Sequence, residues 1–583
     1  MKRLPTRGAL TFGVSLLIAS PLCAALLPGC GSAETSDVDT GRPRDPATFL
    51  PGEDGPDGGK TTEPPPTPPG VYDWRDAIIY FVFVDRFYRD PATSGTAKKC
   101  GPTPGADGPG DYVGGNWPGV TAKIKSDFFT DLGVNTLWIT VPFKNADTVS
   151  GHGVEQDTHN YSAYHGYWPL DPTKTEDCFG TEADLEALVA AAHEKKLKVV
   201  FDYAMVHVHS TSPIFQAHAD WFWPNSGGAG GKCICHGATS QGEPCTWENE
   251  PQKCWFTDYL PHWNYGNAAA RDFSVQAALQ LVQDTGVDGY RLDAIKHVDG
   301  AWLTQLRAKI NAEVVGKQNP PQRFYMVGET YDFGDRGFIK SFVDPATKLD
   351  GQFDFPLRLN LVKSTIMRQG GYGLDQLASF MDSNDGFYGA QAVMSTFIGN
   401  HDLGRIIHMA EDSPRWDEYD NGSKGAAWSN PPKLPASRSP FERVANAYAL
   451  LLTNKGAPLV YYGDEIGQPG AGDPDNRRTM QFENLNADQQ FLRDRVRALT
   501  AIRAAHPALR RGSRKTISAS PDLWVYSMTE SGGDTVYVAV NRSDNPQNAS
   551  GLPDGTLKEL VTATTATGPS FMLPPRQARV FTK

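Results

Sequence analysis

The sequence predicts an α/β fold, namely a (β/α)8 TIM barrel with an inserted domain B and a C-terminal antiparallel β-sandwich. Three observations support this prediction. Strand-like apolar runs alternate with amphipathic helical stretches between about residues 72 and 490, and eight such runs fit a barrel, with a doubly wound sheet as the alternative. Polar residues follow several of these runs, as in the active sites of barrels. Beyond residue 490 the pattern changes to period-two alternation between turn residues, which is typical of a sandwich over 491–583.

The first 71 residues precede the predicted barrel. Lys2, Arg3 and Arg7 come before the apolar stretch 12–27, as in an export signal, here residues 1–29. The following Leu27-Pro28-Gly29-Cys30 resembles a bacterial lipobox, which implies that Cys30 carries a lipid and tethers the chain to the cell envelope, at the outer membrane or cell surface. An ordinary signal peptide cut nearby is the alternative. Residues 30–71 are rich in Pro and Gly and predict a disordered linker.

The barrel elements follow in order from residue composition. Strands are predicted from runs rich in β-branched and aromatic residues: 77–87, 134–140, 198–204, 289–293, 324–327, 351–355, 392–398 and 457–462. Helices are predicted from apolar residues recurring at helical spacing: 124–132, 181–196, 268–285 and 301–315. Residues 207–263 separate the third and fourth strands and predict the inserted domain. In the sandwich, strands are predicted at 523–529, 535–540 and 578–582.

Composition restricts the partners. A net charge of −12 argues against nucleic acid or an anionic membrane surface as the main partner. Aromatic residues make up 11% of the chain, and together with many acidic groups they suit neutral polyols such as sugars. Any contact with a membrane is therefore expected to be made only through the lipid anchor.

Ionisable residues end four of the predicted strands. Because side chains alternate along a strand, Arg291 and Asp293 are expected on the same side, where the arginine would orient the carboxylate. A structural ion pair is the alternative for these two residues alone. The other three endings carry further candidates, so that carboxylates and histidines converge on one rim of the barrel: Asp202 and His207, Glu329, and Asn400-His401-Asp402.

These four stretches, in this order, resemble the signature regions of the α-amylase family of glycoside hydrolases, whose clan also holds cyclodextrin glucanotransferases and neopullulanases. The resemblance covers about residues 77–478. Four shorter segments support it: Ile79–Phe87, Tyr164–Trp168, Tyr461–Glu465 and Asp473–Arg477.

The resemblance implies a retaining mechanism through a covalent β-glucosyl-enzyme. Asp293 would be the nucleophile, Glu329 the general acid/base and Asp402 the transition-state stabiliser. The implied substrate-binding residues are Tyr167, His165, His207, Arg291, Lys296, His297, Tyr331, Asn400, His401, Asp473 and Arg477.

The implied function is an endo- or exo-acting α-1,4-glucan hydrolase that acts on starch, maltooligosaccharides or cyclodextrins as a monomer, without a required cofactor. The alternatives are an α-glucan transglycosylase of the same clan, and a non-catalytic glucan-binding surface lipoprotein. Cyclising transferases carry an aromatic residue at the position that aligns with Asp258, or less closely with Tyr259, so this sequence favours hydrolysis.

Two departures concern metals. Many relatives bind calcium through an Asn at the position of Val206 and an Asp at that of His262, so the usual calcium site is expected to be lost here. Six cysteines lie in the predicted folded body, which favours disulfides in an exported protein but leaves fifteen pairings open. Four of them, with His236, could instead form a zinc site: Cys233, Cys235, Cys245 and Cys254.

Overall fold

Eight parallel strands form a barrel in a computed structural model that describes residues 67–92, 100–151, 157–235 and 244–583. The described strands, in chain order, are β1 Ile79–Val82, β2 Thr136–Ile139, β3 Phe143–Asn145, β4 Ser150–Gly151, β5 Asn160–Tyr161, β6 Pro169–Thr175, β7 Lys198–Tyr203, β8 Gly289–Leu292, β9 Tyr325–Gly328, β10 Gly351–Gln352, β11 Ser395–Thr396, β12 Ala457–Tyr461, β13 Ser513–Ala519, β14 Leu523–Thr529, β15 Thr535–Asn541, β16 Gln547–Glu559, β17 Thr564–Leu573 and β18 Gln577–Thr582. The barrel order is β10-β9-β8-β7-β2-β1-β12-β11. A parallel bridge between Phe353 and Ser395 joins the two ends, so the barrel prediction is confirmed over the doubly wound sheet.

Helices fill the connections between these strands. They are α1 Val84–Phe87, α2 Trp117–Lys125, α3 Phe128–Leu132, α4 Glu182–Glu194, α5 Pro213–Ala217, α6 Ala268–Thr285, α7 Gly300–Glu313, α8 Arg336–Ser341, α9 Phe355–Leu361, α10 Leu374–Asn384, α11 Ile406–Met409, α12 Ser423–Ser429, α13 Ser439–Leu452, α14 Ala487–Ala505 and α15 Ala508–Arg511. Within the described ranges, no helix is long and apolar enough to cross a membrane.

Several elements differ from the sequence prediction for identifiable reasons. The run 77–87 gives only the short strand β1, because the chain turns into α1 after Phe83. The amphipathic stretch 124–132 is divided between α2 and α3 at Asp127, whose left-handed backbone (φ 62°) cannot continue a helix. Strands β16 and β17 were not predicted, because glycine, proline and polar residues hide their alternation.

The insertion leaves the barrel after β7 and returns beside its starting point, where His207 and His262 form an antiparallel bridge. Two disulfides lie within it, Cys233–Cys245 and Cys235–Cys254, and a third joins Cys100 to Cys178. The prediction of disulfides is confirmed. The zinc alternative is excluded for these four cysteines, since none keeps a free thiolate.

The C-terminal strands form one six-stranded antiparallel sheet in the order β13-β14-β15-β18-β16-β17. One face of β14 joins the barrel core through Trp524 and Tyr526, and the Tyr526 hydroxyl lies 2.6 Å from Thr453 Oγ1. The other face carries Val525 into a separate small core with Ala539, Leu557 and Phe581. Helix α14 spans the predicted boundary at residue 490 and packs on α13. The sheet begins after it, at Ser513.

The predicted linker reaches the folded body at its end. Thr67 donates a hydrogen bond to Asp73, and the carbonyl of Gly70 accepts one from Gln322. The predicted signal peptide, Cys30 and the linker up to residue 66 lie outside the described residues.

Candidate active site

A buried arginine lies at the centre of the site. Arg291 is 1% exposed. Its Nη1 donates to Asp293 Oδ1 at 2.6 Å and to Asp202 Oδ1 at 3.0 Å, and its Nη2 lies 3.9 Å from Glu329 Oε2. One cation therefore contacts or faces three carboxylates from the ends of three adjacent strands.

Strand register explains this convergence. Asp202 of β7 pairs with Arg291 of β8, and β8 pairs with β9 immediately before Glu329. The chain continues past β8 with Asp293, whose N–H donates to the carbonyl of Tyr203. Since side chains two residues apart share a face, Arg291 and Asp293 lie on the same side, as the sequence analysis expected.

The carboxyl group of Glu329 has a raised pKa. Its pKa is raised to about 7, chiefly by burial and in smaller part by the charges of Asp293 and Asp402, against the lowering effect of Arg291. A carboxyl group with this pKa still holds a proton near neutral pH, which is the requirement for a general acid.

Asp402 lies across from these groups, after β11. Its side chain is 36% exposed, but it lies within the site, where desolvation raises its pKa to about 6. Its N–H donates to Asn400 Oδ1 at 3.0 Å, and Arg477 Nη2 lies 3.4 Å from its Oδ1. The same guanidinium pairs with Asp473 at 3.0 Å and donates to the carbonyl of His401, so Arg477 links the loop after β12 to the loop that carries Asp402.

Tyr167 connects the carboxylate of Asp202 to the imidazole of His401. Its hydroxyl lies 2.6 Å from Asp202 Oδ2 and 2.7 Å from His401 Nε2. A hydroxyl has one proton, so it donates to the carboxylate and accepts from His401 Nε2–H, which places the histidine proton on Nε2. The N–H of Tyr167 donates to His165 Nδ1, and its carbonyl accepts from His207 Nε2–H at 2.9 Å.

Three predicted binding residues lie further from this network. Lys296 contributes its positive charge to the surroundings of Glu329. His297 is buried, and its Nδ1–H donates to the carbonyl of Pro251 in the insertion. Tyr331, 39% exposed, packs edge-on against Phe333 just beyond Glu329.

Asp202 is predicted to lie on the rim, but the sequence indicates no role for it in the site. The structure makes it the third partner of Arg291 and the acceptor for Tyr167, and burial raises its pKa to about 6 against the opposing charge of Arg291. A carboxylate within the apolar run 198–204 was the available signal, since a buried charge needs a partner.

This arrangement is suited to acid-assisted nucleophilic substitution. It combines a carboxylate fixed by a guanidinium, a second carboxyl group that holds a proton near neutral pH, and a third carboxylate with an aromatic wall. Glycosidic bonds are commonly broken by such a pair of carboxyl groups, which flank the scissile bond.

Comparison with known proteins agrees with this chemistry. Residues 81–503 match the family described as "Alpha amylase, catalytic domain". A cyclomaltodextrin glucanotransferase from Bacillus sp. (strain 6.6.3) is 29% identical over 82% of this chain and 60% of its own length. The chain thus spans about three fifths of the length of such transferases. An alpha-amylase from Niallia circulans is 26% identical over 83% of this chain and 84% of its own length.

A solved structure resembles the whole described body. The crystal structure of alpha-amylase from Geobacillus thermoleovorans, complexed with acarbose, is 25% identical and covers 88% of this chain and 98% of its own, with a TM-score of 0.67. The family model matches the barrel, and the solved structure matches both the barrel and the C-terminal sheet. The chain therefore belongs to the α-amylase family of glycoside hydrolases and transferases.

Proposed function

We propose that this enzyme is a retaining α-1,4-glucan hydrolase in which Asp293 is the nucleophile, Glu329 the general acid/base and Asp402 the transition-state stabiliser. The observation that carries the proposal is the guanidinium of Arg291, which is hydrogen-bonded to Asp293 and lies beside Glu329, whose pKa is about 7. One carboxyl group is held in place to attack while the other retains the proton that the leaving group needs.

The reaction has two steps. In the first, an Asp293 oxygen bonds to the anomeric carbon, the glycosidic bond breaks, and Glu329 gives its proton to the leaving oxygen. In the second, Glu329 takes a proton from water, the water oxygen bonds to the anomeric carbon, and Asp293 is released. Asp402 would stabilise the positive charge that develops on the ring in both steps.

Two histidines support sugar binding beside Tyr167. His207 and His401 are buried, and their Nδ1 atoms have no hydrogen-bond partner among the described residues. Burial lowers the pKa of both imidazoles, so they are neutral near pH 7 and suited to bind hydroxyl groups without adding charge.

The test is product analysis with the full chain on soluble starch, maltoheptaose and β-cyclodextrin. Linear maltooligosaccharides that keep the α-configuration at the moment of release support the proposal. Glu329→Gln should abolish turnover while Glu186→Gln, at an exposed position on α4, should not change it. Inverted products, or an active Glu329→Gln enzyme, would refute it.

Transglycosylation is the second candidate, because several similar proteins are cyclomaltodextrin glucanotransferases. Hydrolysis is favoured because this chain has Asp258 at the position where cyclising transferases carry an aromatic residue. Asp258 is exposed, with Lys232 3.5 Å from its carboxylate, and the Tyr259 hydroxyl donates to the carbonyl of Gly151. Cyclic or elongated products from maltoheptaose at high concentration would favour the transferase. Asp258→Tyr should raise their share if this position governs acceptor choice, and Asp258→Ala is the matched control.

We also propose attachment to the cell envelope through a lipid on Cys30. The support is the basic, apolar and Leu-Pro-Gly-Cys sequence order of residues 2–30. Fatty-acid labelling and partition into a detergent phase should be lost in Cys30→Ser. A Cys30→Ser chain that still labels would refute the proposal.

The site uses side chains of a single chain, so we propose a monomer. Light scattering after gel filtration should give the mass of one chain. A dimer mass would contradict this proposal.

A further inference from the structure

His262 lies where the insertion returns to the barrel. The N–H of Trp263 donates to the carbonyl of Val206, and the N–H of Val208 donates to the carbonyl of Pro261, so the returning segment is held against the end of β7. His262 is 3% exposed between these two backbone contacts. Its imidazole is therefore part of the junction and cannot turn into solvent without opening it.

Both ring nitrogens of His262 meet backbone carbonyl oxygens. Nδ1 lies 2.7 Å from the carbonyl oxygen of Cys254, and Nε2 lies 3.0 Å from that of His297. Cys254 belongs to the insertion, where a disulfide fixes it to Cys235, whereas His297 follows β8, four residues after Asp293. The ring therefore lies between the inserted domain and the barrel loop beside the predicted nucleophile, in contact with both.

Neighbouring contacts reinforce this link. The ring of His297 donates to the carbonyl of Pro251, and Gln252 Nε2 donates to the carbonyl of Val298 at 3.3 Å. Phe256 packs edge-on against His297, with ring centroids 4.8 Å apart. The segment 251–256 is thus attached to the barrel at several points, and the carbonyl oxygen of Cys254 within it faces His262.

The residues present do not fit the calcium site that the family resemblance implies. Calcium takes six to eight oxygen ligands. Val206 offers no side-chain donor and is buried in the apolar core, and His262 directs nitrogen atoms at two carbonyl oxygens that would otherwise be available to a cation. The two nitrogens of an imidazole diverge, so the ring occupies the space between those oxygens.

The proton count of the ring is compatible with this role. Burial lowers the pKa of His262 to about 4, while the two carbonyl oxygens raise it. Near neutral pH the ring holds one proton, so it donates one hydrogen bond, to either of the two carbonyl oxygens, and packs against the other.

We propose that the imidazole of His262 replaces calcium as the link between the inserted domain and the barrel, and that the folded enzyme needs no metal ion at this junction. A hydrogen-bonded ring and two disulfides in the insertion then provide the rigidity that a metal would otherwise supply.

The test compares thermal unfolding of the full chain in EDTA and in calcium chloride. The wild-type melting temperature should be the same in both, and His262→Ala should lower it by about 3 °C or more in both, since a buried hydrogen-bonded group is lost. Gln216→Ala, at an exposed position in the insertion, is the control and should melt like the wild type.

A double variant, Val206→Asn with His262→Asp, restores the oxygen ligands. Its melting temperature should rise by about 3 °C or more with calcium relative to EDTA. A calcium-dependent wild-type melting temperature, an unaffected His262→Ala variant, or a double variant that unfolds equally in EDTA and calcium would each overturn the proposal. If the double variant does not fold, the wild-type and His262→Ala measurements still decide.

Discussion

The hydroxyl of Tyr167 gives a sharp test of how the site is held together. Tyr167→Phe keeps the aromatic ring but removes the hydrogen bonds to Asp202 at 2.6 Å and to His401 at 2.7 Å. A bond to a buried carboxylate contributes about 1.5–3 kcal/mol and a neutral bond about 0.5–1.5 kcal/mol, so the free energy of unfolding should fall by about 2–4.5 kcal/mol. Because Asp202 also positions Arg291, and through it Asp293, kcat should fall by about 10–100-fold.

The assay combines urea unfolding with initial rates on maltoheptaose. Tyr167→Ala is the comparison, because it removes the ring as well and should raise KM far more than Tyr167→Phe does. Tyr290→Phe removes another buried hydroxyl, bonded to the carbonyl of Ala278 away from the site, and should cost stability without a comparable loss in kcat. A Tyr167→Phe enzyme with wild-type kcat would refute the argument that this hydroxyl orients the charged centre.

Three further predictions follow from charges and cross-links. Because the pKa of Glu329 is raised to about 7, kcat/KM should fall as pH rises through 7. Ionising this buried carboxyl group lowers the free energy of unfolding, and the loss grows between about pH 4.5 and 7. Glu329→Gln should therefore be more stable than the wild type at pH 8, by up to about 3 kcal/mol, and equal stability there would contradict the raised pKa. Arg477→Lys cannot reproduce the guanidinium contacts with Asp473 and the carbonyl of His401, so KM for maltoheptaose should rise about tenfold or more, and an unchanged KM would show that this loop does not shape the binding site. Removing the disulfide of 19-residue separation in the insertion, by replacing Cys235 and Cys254 with Ser, should lower the free energy of unfolding by about 3 kcal/mol in urea, and a double variant as stable as the wild type would show that the disulfide does not stabilise the insertion.

Local pattern determined much of this protein from sequence. The alternation of strands and helices predicted the barrel, because each periodicity reflects which face of an element must be buried. Helix 268–285 has the predicted bounds, since Asn267 caps its start and Gly286 its end. The two-residue spacing of Arg291 and Asp293 was enough to place them on one face.

Other features depended on which strands become neighbours. Asp202 and Arg291 are 89 residues apart, and only the pairing of β7 with β8 shows that they form an ion pair. Strands β16 and β17 also escaped prediction, because partner strands rather than their own polar sequence stabilise them.

For the cysteines and His262, too, the sequence predicted part of the answer and the tertiary structure supplied the rest. The sequence predicted disulfides from cysteine number and export, but their pairing required the fold to bring Cys235 within 5.0 Å of Cys254, measured between Cα atoms. The sequence likewise indicated that Val206 and His262 do not suit calcium, but not what holds the junction instead. That answer required tertiary structure, because the carbonyl oxygens of Cys254 and His297 belong to segments that meet only in the folded chain. Local sequence specifies the elements and their buried faces, and contacts between elements distant in sequence decide the charges and links on which the site depends.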